Sequence, residues 1–256
     1  MKNTLSELYK NHRGKVSDKW SIYLDEYQRL LYPFQDKEVR LLEIGVQNGG
    51  SLEIWGKFFS NAKKIVGCDI DPRCLELSYP ESHIQVIVGD ICSVTTAQEA
   101  LAACSGAIDI VIDDGSHTSE DIIATFFNLF GHLEEGGIYI AEDLHCSYWP
   151  GFQGGLHHGN SSIAFFKKLI DILNFEHWEE NKTRCAYISE TTPIGAEHEE
   201  LLSTIHSVEF INSLCVIRKR PLISNTLGPR IISGRYEAVQ SVKDKSGEIS
   251  IPQTQK

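Results

Sequence analysis

The stretch IDDGSH at residues 112–117 places two carboxylates, a glycine, a hydroxyl and an imidazole at the end of an apolar run. A strand-to-helix turn needs little more than a glycine and a capping residue, so this turn carries more polar groups than its backbone requires. Carboxylates bind hard divalent cations, and an imidazole can take or release a proton near neutral pH. The stretch therefore predicts a site for cation binding, for proton transfer or for both.

A second acidic pair, Glu142 and Asp143, ends the next apolar run along the chain. Neighbouring parallel strands lie about 4.8 Å apart, so their carboxyl ends can bring the acids of both runs together. Adjacent carboxylates repel one another in a pocket of low dielectric constant, and a divalent cation relieves that repulsion. All-oxygen ligands without a nearby cysteine pair favour Mg²⁺, Mn²⁺ or Ca²⁺ over Zn²⁺. The alternative is that some of these acids cap helices or contact an amino group of a cofactor.

The apolar runs before these acids alternate with segments of helical spacing, and this alternation sets the expected fold. Runs that are apolar throughout, separated by helices, indicate a parallel sheet covered on both faces. Right-handed crossovers then give a doubly wound, Rossmann-like α/β fold. Gly136 and Gly137 are expected to separate the last helix from the fifth strand. The predicted strands are 39–46, 63–70, 83–90, 108–114 and 138–144, and the predicted helices are 51–59, 95–104 and 118–133.

Two further runs, 205–211 and 213–219, are separated by Asn212 alone. A helical crossover cannot fit between them, so they must be antiparallel or form one bent strand. We therefore expect a mostly parallel, seven-stranded sheet with an antiparallel hairpin at its C-terminal end. The expected division of the chain is a helical segment at 1–38, a main domain at 39–220 with a covering loop or lid at 145–204, and a polar tail at 221–256.

Overall composition narrows the class of protein. With 256 residues, of which 41% are hydrophobic, the chain suits one large domain with a smaller appendage. A net charge of −11 and a pI near 5.4 argue against a dedicated binder of nucleic acid or anionic membranes, because both need a basic surface. The sequence shows neither a secretory signal at its start nor an apolar run long enough to span a bilayer. Its seven cysteines form no CxxC pair, which favours reduced, buried thiols and a cytoplasmic protein.

The first predicted strand leads into EIGVQNGG, a glycine-rich turn. Its spacing differs from the G-x-G-x-x-G of dinucleotide binders, because Gln47 occupies the position of the second glycine. Asp69 ends the next strand, where an acid can accept both hydroxyls of a nucleoside ribose. Asp90 ends the third strand, where a carboxylate can receive an adenine amino group. The glycines could serve only a tight turn, but acids at successive strand ends favour a nucleoside ligand.

Together, EIGVQNGG, GCDID and VGD, followed by strand ends in DD and ED, resemble the class I S-adenosylmethionine-dependent methyltransferases over residues 39–219. The glycine turn departs from the commoner E-x-G-x-G-x-G of that family. The resemblance implies that Glu43, Gly45 and Gly49 line the methionine end of the cofactor, that Asp69 holds the ribose and that Asp90 lies near the adenine.

More narrowly, DDGSH with an AED strand end resembles the metal-dependent sugar O-methyltransferases of macrolide tailoring, the mycinamicin type, and their relatives in surface-glycan clusters. This resemblance implies that Asp114 and Asp143, with Glu142 beside them, bind Mg²⁺ or Mn²⁺. It also implies that His117 is the general base, although a lone histidine at the start of a helix more commonly caps or packs. The role of Asp113 stays open. The expected function is methylation of a sugar hydroxyl in a surface polysaccharide or glycosylated metabolite.

Aromatic side chains in two places could contact the acceptor. The loop at 145–160 carries Tyr148, Trp149 and Phe152, whose flat faces can pack on a sugar ring, and its glycines would allow a mobile lid. The alternative is a surface loop whose aromatic rings fold back onto the sheet. The residues near the N-terminus that could close over the cofactor or acceptor, or simply belong to a packed amphipathic helix, are Asp18, Lys19, Trp20 and Tyr23.

Two other functions stay open at this point. One is a hydroxylase-type tailoring enzyme on the same fold, although no 2-His-1-carboxylate spacing supports iron chemistry. The other is a non-catalytic cofactor-binding module of a glycan assembly complex, although scaffolding needs neither the acids nor His117. We expect a small-molecule or glycan acceptor and no nucleic-acid partner, and a homo-oligomer stays open.

Overall fold

One sheet organises the chain. The computed structural model describes residues 3–249, so the last part of the expected polar tail, 250–256, lies outside the described residues. The strands within the described part are β1 (Arg40–Ile44), β2 (Lys64–Asp69), β3 (Ile84–Val88), β4 (Ile108–Asp113), β5 (Leu133–Ala141), β6 (Ile205–Ile211) and β7 (Leu214–Lys219). These seven strands lie in the order β3-β2-β1-β4-β5-β7-β6. β1 to β5 are parallel, and β7 is antiparallel to both β5 and β6. The predicted doubly wound sheet with an antiparallel C-terminal hairpin is confirmed.

Helices cover both faces of this sheet. Successive side chains of a strand point to opposite faces, so strands that are apolar throughout make both faces apolar. Leu41 of β1 joins the core on the face that carries the first three helices, and Leu42 joins the core on the other face. The α-helices of residues 3–249 are α1 (Leu5–Asn11), α2 (Ser21–Leu31), α3 (Gly50–Phe58), α4 (Val94–Ala103), α5 (Ser119–Leu129), α6 (Ser162–Leu173), α7 (Arg184–Ile188) and α8 (Glu199–Ser203).

β5 begins earlier than the sequence indicates. Gly136 and Gly137 lie inside this strand, so the prediction that they separate it from the preceding helix is wrong. The pairing with β4 shifts register between Ile108 and Ile110, and Gly136 has a left-handed φ of 82°. The glycines therefore allow an irregular pairing within the strand, which is the geometry of a β-bulge.

The N-terminal segment packs onto the sheet and reaches its carboxyl edge. α2 buries one stripe of side chains at helical spacing, Tyr23, Tyr27, Leu30 and Leu31. Before α2, the chain crosses the start of α3, where the Gly50 N–H donates to the Val16 carbonyl over 3.1 Å. A Cβ on Gly50 would lie 2.2 Å from a backbone carbonyl of the crossing chain, so only glycine permits this approach. The crossing places residues 16–20 beside the ends of β4 and β5.

The seven cysteines are free thiols, of which six are buried and Cys92 is half-buried.

The described part of the tail, 221–249, exposes apolar side chains, with Tyr236 and Val239 at 93% and 99% exposure. Within residues 3–249, no helix combines the length and the apolar composition that a membrane span requires.

Candidate active site

A cavity of about 910 Å³ opens at the carboxyl ends of the parallel strands. Ligands of open α/β sheets bind at this edge, at the point where the strand order changes direction. In this sheet that point lies between the neighbouring strands β1 and β4. Of the sequence-predicted site residues, those that line the cavity are Gly45, Asp69, Asp90, Asp114, His117, Glu142 and Asp143, and Asp113 lines it as well.

Two predicted glycines of the first turn have different positions. Gly45 has a φ of 84°, and a Cβ there would lie 1.9 Å from the Asp114 carbonyl oxygen, so glycine is required where the turns after β1 and β4 meet. Gly49 also has a left-handed φ, of 81°, but its carbonyl accepts a hydrogen bond from the Tyr79 hydroxyl and it does not line the cavity. The structure therefore brings Gly45, and not Gly49, to the predicted cofactor site.

Asp69 and Asp90 accept hydrogen bonds from backbone N–H groups, Asp69 from the turn after β1 as well as from its own loop. Asp69 Oδ2 accepts the N–H groups of Val46 and Gln47, each over 2.8 Å, and its Oδ1 accepts the Asp71 N–H over 2.9 Å. Asp90 Oδ1 accepts the N–H group two residues further on, over 2.9 Å. A carboxylate offers about four acceptor positions, so both acids retain capacity for a ligand that lies in the cavity.

Glu43 lies beneath the glycine turn and does not line the cavity. Its Oε2 accepts the Ser51 hydroxyl over 2.5 Å, and its Oε1 accepts the Trp55 indole N–H over 3.2 Å. Burial raises the pKa of the Glu43 carboxyl, against the opposing attraction of the Lys19 ammonium. Its contacts fasten β1 to α3, so the structure does not bring Glu43 to the methionine end of a cofactor.

Asp114, His117 and Asp143 meet at the ends of β4 and β5. One possible ligand atom from each of the three lies within 4.8 Å of the other two. His117 Nε2 is 3.9 Å from Asp114 Oδ1 and 3.7 Å from Asp143 Oδ2. His117 and Asp143 both have left-handed backbones, with φ of 60° and 53°, a conformation that is uncommon outside glycine and often marks functional sites. The structure brings together these sequence-predicted residues.

Glu142 adjoins this group without being a member of it. Its side chain is 1% exposed, and its Oε1 accepts the Lys19 ammonium over 2.7 Å and the Tyr27 hydroxyl over 2.5 Å. Burial, opposed by the charge of Lys19 and aided by that of Asp114, raises the pKa of the Glu142 carboxyl. Tyr27 was not predicted as a site residue, and its position four residues after Tyr23 is the signal that both hydroxyls face the same edge.

Lys19 places a positively charged side chain beside the acids. Its side chain is 3% exposed, and its ammonium contacts Asp114 Oδ2 as well as Glu142. Burial disfavours the charged form, but the carboxylates of Glu142 and Asp114 outweigh it and hold the pKa of Lys19 well above its ordinary value. Lys19 therefore stays positively charged between these two acids. Of the two alternatives for residues 18–23, the structure supports a direct place at the cavity.

Asp143 is held by the same segment. The Trp20 indole N–H donates to Asp143 Oδ1 over 3.1 Å, and the Tyr23 hydroxyl donates to the same oxygen over 2.8 Å. The Asp143 N–H in turn donates to the Tyr23 oxygen over 3.2 Å. Backbone and side chain of Asp143 are thus both tied to one buried phenol.

Asp113, whose role the sequence left open, accepts the Tyr139 hydroxyl over 2.6 Å at Oδ2. Both residues are buried, and burial raises the pKa of the Asp113 carboxyl to about 7 despite that hydrogen bond. Tyr139 belongs to β5, so Asp113 connects the two strands whose ends carry the acidic group. Its place is structural, directly beneath the cluster.

Aromatic side chains border the acidic group on its solvent side. The His145 ring packs edge-on between Trp20 and Trp149, with centroid distances of 6.0 Å and 5.0 Å. Phe152 lies 6.0 Å further along from Trp149. Trp20 and Trp149 are 59% and 50% exposed, and Tyr148 is 39% exposed. Trp20, His145 and Trp149 form an open aromatic surface beside Asp143, so the aromatic rings do not all fold back onto the sheet.

Comparisons with known proteins agree with this arrangement. Residues 42–144 match the methyltransferase domain family. The 8-demethyl-8-alpha-L-rhamnosyl tetracenomycin-C 2'-O-methyltransferase of Streptomyces olivaceus is 36% identical over 192 residues, which are 71% of this chain and 49% of that protein. The demethylmacrocin O-methyltransferase of Streptomyces fradiae is 34% identical over 209 residues, 77% of this chain and 50% of that protein. The chain thus spans about half the length of the curated relatives it matches.

The fold of the chain also matches a solved methyltransferase structure. The MycE methyltransferase of the mycinamycin biosynthetic pathway, in complex with Mg and SAH, aligns with a TM-score of 0.71 at 28% identity, covering 87% of this chain and 55% of that one. The same enzyme with Mg, SAH and mycinamycin VI aligns with a TM-score of 0.70. The sheet order and the structural match show that the chain has the class I methyltransferase fold, and residues 42–144 form its methyltransferase domain. Both relatives named above are O-methyltransferases, and the name of the first describes a rhamnosylated substrate.

Proposed function

We propose that this chain transfers a methyl group from S-adenosylmethionine to a sugar hydroxyl, with Mg²⁺ or Mn²⁺ bound at the acidic group. The observation that carries the proposal is the meeting of Asp114, His117 and Asp143 at the mouth of the cavity. The relatives' names and the Mg and SAH bound in the MycE structures support it.

The cavity suits a nucleoside cofactor. Its volume of about 910 Å³ lies toward the upper end of small-molecule sites, which leaves room for part of an acceptor beside the cofactor. Asp69 and Asp90 face the cavity with acceptor capacity to spare, and we assign them to the ribose and adenine, as the resemblance implies. Gly45 lets the chain pass close to the turn after β4, where the methyl group must be delivered.

The acidic group suits a divalent cation. We assign Asp114 and Asp143 as ligands and Glu142 as the third, through Oε2, because its Oε1 already accepts two hydrogen bonds. Three carboxylates and the Lys19 ammonium leave two net negative charges when all are ionised, which one divalent cation balances. An oxygen donor set of this kind favours Mg²⁺ or Mn²⁺.

The chemistry follows from these positions. The cofactor supplies an electrophilic methyl group on a sulfonium sulfur, and a bound divalent cation lowers the pKa of a nearby hydroxyl. His117 Nε2 accepts the hydroxyl proton as the acceptor oxygen attacks the methyl carbon. A C–O bond forms, the C–S bond breaks, and the sulfur keeps the electron pair. Asp114 and Asp143 face the same imidazole and stabilise its protonated form. Such proton transfer contributes about 10²- to 10⁴-fold in rate.

The aromatic surface indicates the acceptor class. Trp20 and Trp149 are exposed on the aromatic surface beside Asp143, and aromatic rings of this kind pack on the C–H surface of a sugar. We therefore propose a sugar of a glycosylated metabolite or a surface polysaccharide as the acceptor, with residues 145–204 covering it. The buried free thiols fit a reducing compartment, so the cytoplasm is the location we propose.

Two measurements test this function. Calorimetry should show S-adenosylmethionine binding, and mass spectrometry should show a gain of one methyl group on a rhamnosylated polyketide or an unmethylated surface polysaccharide. The acceptor that gains the methyl group distinguishes the two sources. A protein that binds no S-adenosylmethionine would overturn the proposal. Binding with methyl transfer only to an acceptor that lacks sugar would overturn the acceptor class.

A further inference from the structure

One short segment supplies hydrogen-bond donors to Asp114, Glu142 and Asp143, the three acids that we assign to the cation. The segment runs from 19 to 27, and we call it the donor segment. Its contacts are Lys19 with Asp114 Oδ2, Lys19 and Tyr27 with Glu142 Oε1, and Trp20 and Tyr23 with Asp143 Oδ1.

Each of the two aspartates divides its oxygens between the donor segment and the cavity. Asp114 gives Oδ2 to Lys19 and turns Oδ1 toward His117. Asp143 gives Oδ1 to Trp20 and Tyr23 and turns Oδ2 toward His117. The terminal torsion of an aspartate is soft, so a donor on one oxygen decides where the other oxygen points. Partners of this kind hold metal ligands in place in many metalloproteins.

We propose that Lys19, Trp20 and Tyr23 are positioning residues that aim one oxygen of Asp114 and one of Asp143 at the cation. This inference rests on the cation site of the proposed function and adds the residues that orient it. The donors themselves do not touch the cation. They act through the carboxylates.

Of these three residues, Tyr23 should have the largest effect on the position of its aspartate. It is 1% exposed and packs edge-on against Tyr27 with a centroid distance of 6.4 Å, so its phenol has little freedom to move. Its oxygen donates to Asp143 Oδ1 and accepts the Asp143 N–H. The left-handed φ of 53° at Asp143 is therefore fixed by the same hydroxyl that orients its side chain. Losing this hydroxyl frees both the backbone and the carboxylate.

The test uses Tyr23→Phe, which removes one oxygen and keeps the ring. Mn²⁺ binding is measured by electron paramagnetic resonance, and SAH binding by calorimetry, on the wild type and the variant. We expect about tenfold weaker Mn²⁺ binding, the lower end for partners of metal ligands, with SAH affinity within twofold of the wild type. Methyl transfer by the variant should recover at saturating Mg²⁺, because the defect is in cation affinity.

Matched controls separate positioning from general destabilisation. Tyr187→Phe also removes a hydroxyl that donates to a carboxylate, that of Asp171, away from the cavity, and should leave Mn²⁺ affinity unchanged. Trp20→Phe is a second test variant at an exposed side chain, and Trp178→Phe, which loses an indole bond to a carbonyl, is its control. Each test variant should weaken Mn²⁺ binding more than its control does.

The outcomes distinguish this inference from the function beneath it. A wild type that binds no Mn²⁺ would overturn the cation site itself, and the positioning role with it. A wild type that binds Mn²⁺ while Tyr23→Phe and Trp20→Phe bind it equally well would overturn the positioning role alone. Equal weakening in the test variants and their controls would also overturn it, because the effect would then be general.

Discussion

The two halves of the cavity hold their acids in different ways. In the cofactor half, Asp69 accepts backbone N–H groups that lie 22, 23 and 2 positions away in the chain. In the cation half, Asp114, Glu142 and Asp143 accept side-chain donors that lie 95 to 123 positions away. The first half is built by its own loops. The second exists only when the N-terminal segment has packed onto the sheet.

This difference predicts separable effects of mutation. Backbone N–H donors survive every substitution except proline, so the cofactor half can be weakened only through its carboxylates. The donors of the cation half are side chains, so it can be weakened from the donor segment as well. Variants should therefore change either cofactor affinity or cation affinity, and few should change both.

The largest expected effect belongs to Asp114→Asn. The substitution removes a charged ligand from the cation site and leaves Lys19 with one acid. We expect methyl transfer to fall by roughly 10³-fold, which corresponds to the several kcal/mol that a bound cation contributes. Steady-state kinetics and Mn²⁺ titration measure the loss, and SAH affinity should stay near that of the wild type. Comparable losses of Mn²⁺ and SAH binding would contradict the separation of the two halves.

His117→Gln should have the next largest effect. Removing the proposed base should lower kcat by roughly 10²-fold or more while Mn²⁺ and SAH affinities are retained, because we assign the imidazole to the proton and not to the cation. The control is His206→Asn. His206 is a surface histidine, and within the described residues its ring forms a hydrogen bond with Asn225 alone. If Mn²⁺ affinity falls together with kcat, His117 is a ligand and its role as base is wrong.

Asp69→Asn weakens the opposite half. The charge that we assign to the ribose hydroxyls is lost, and a hydrogen bond to a charged group contributes about 1.5–3 kcal/mol, so SAH should bind about 10- to 100-fold more weakly. Calorimetry measures this loss, and Mn²⁺ affinity should be unchanged. A variant that binds SAH as the wild type does would show that Asp69 serves its loop alone.

Trp149→Ala has the smallest expected effect, because its side chain is 50% exposed and touches neither half directly. Losing its ring face should cost about 1 kcal/mol of acceptor binding, which is roughly a fivefold rise in acceptor KM. The kcat value and both affinities should stay the same. A change in kcat without a change in KM would contradict the role in acceptor binding and would indicate that Trp149 affects the methyl-transfer step.

The sheet and the acids could be predicted from the sequence because both depend on local patterns. Apolar runs alternate with helical spacing, and IDDGSH and AED stand where runs end. Lys19 was predicted at the site as one of two alternatives and Tyr27 was not predicted there, since no local pattern shows which strand ends a distant helix will face. Glu43 lies buried beneath the glycine turn, outside the lining of the cavity, for a related reason. Ser51 and Trp55, four residues apart on one face of α3, claim both of its oxygens.

Dependence of methyl transfer on a cation held by Asp114 is the central claim, and one assay tests it most directly. Methyl transfer from labelled S-adenosylmethionine to a sugar acceptor is measured after EDTA treatment and again after Mg²⁺ is restored, for the wild type and for Asp114→Asn. We predict that EDTA abolishes wild-type transfer, that Mg²⁺ restores it, and that Asp114→Asn stays inactive at the same Mg²⁺ concentration. Wild-type transfer that continues unchanged in EDTA would contradict the account.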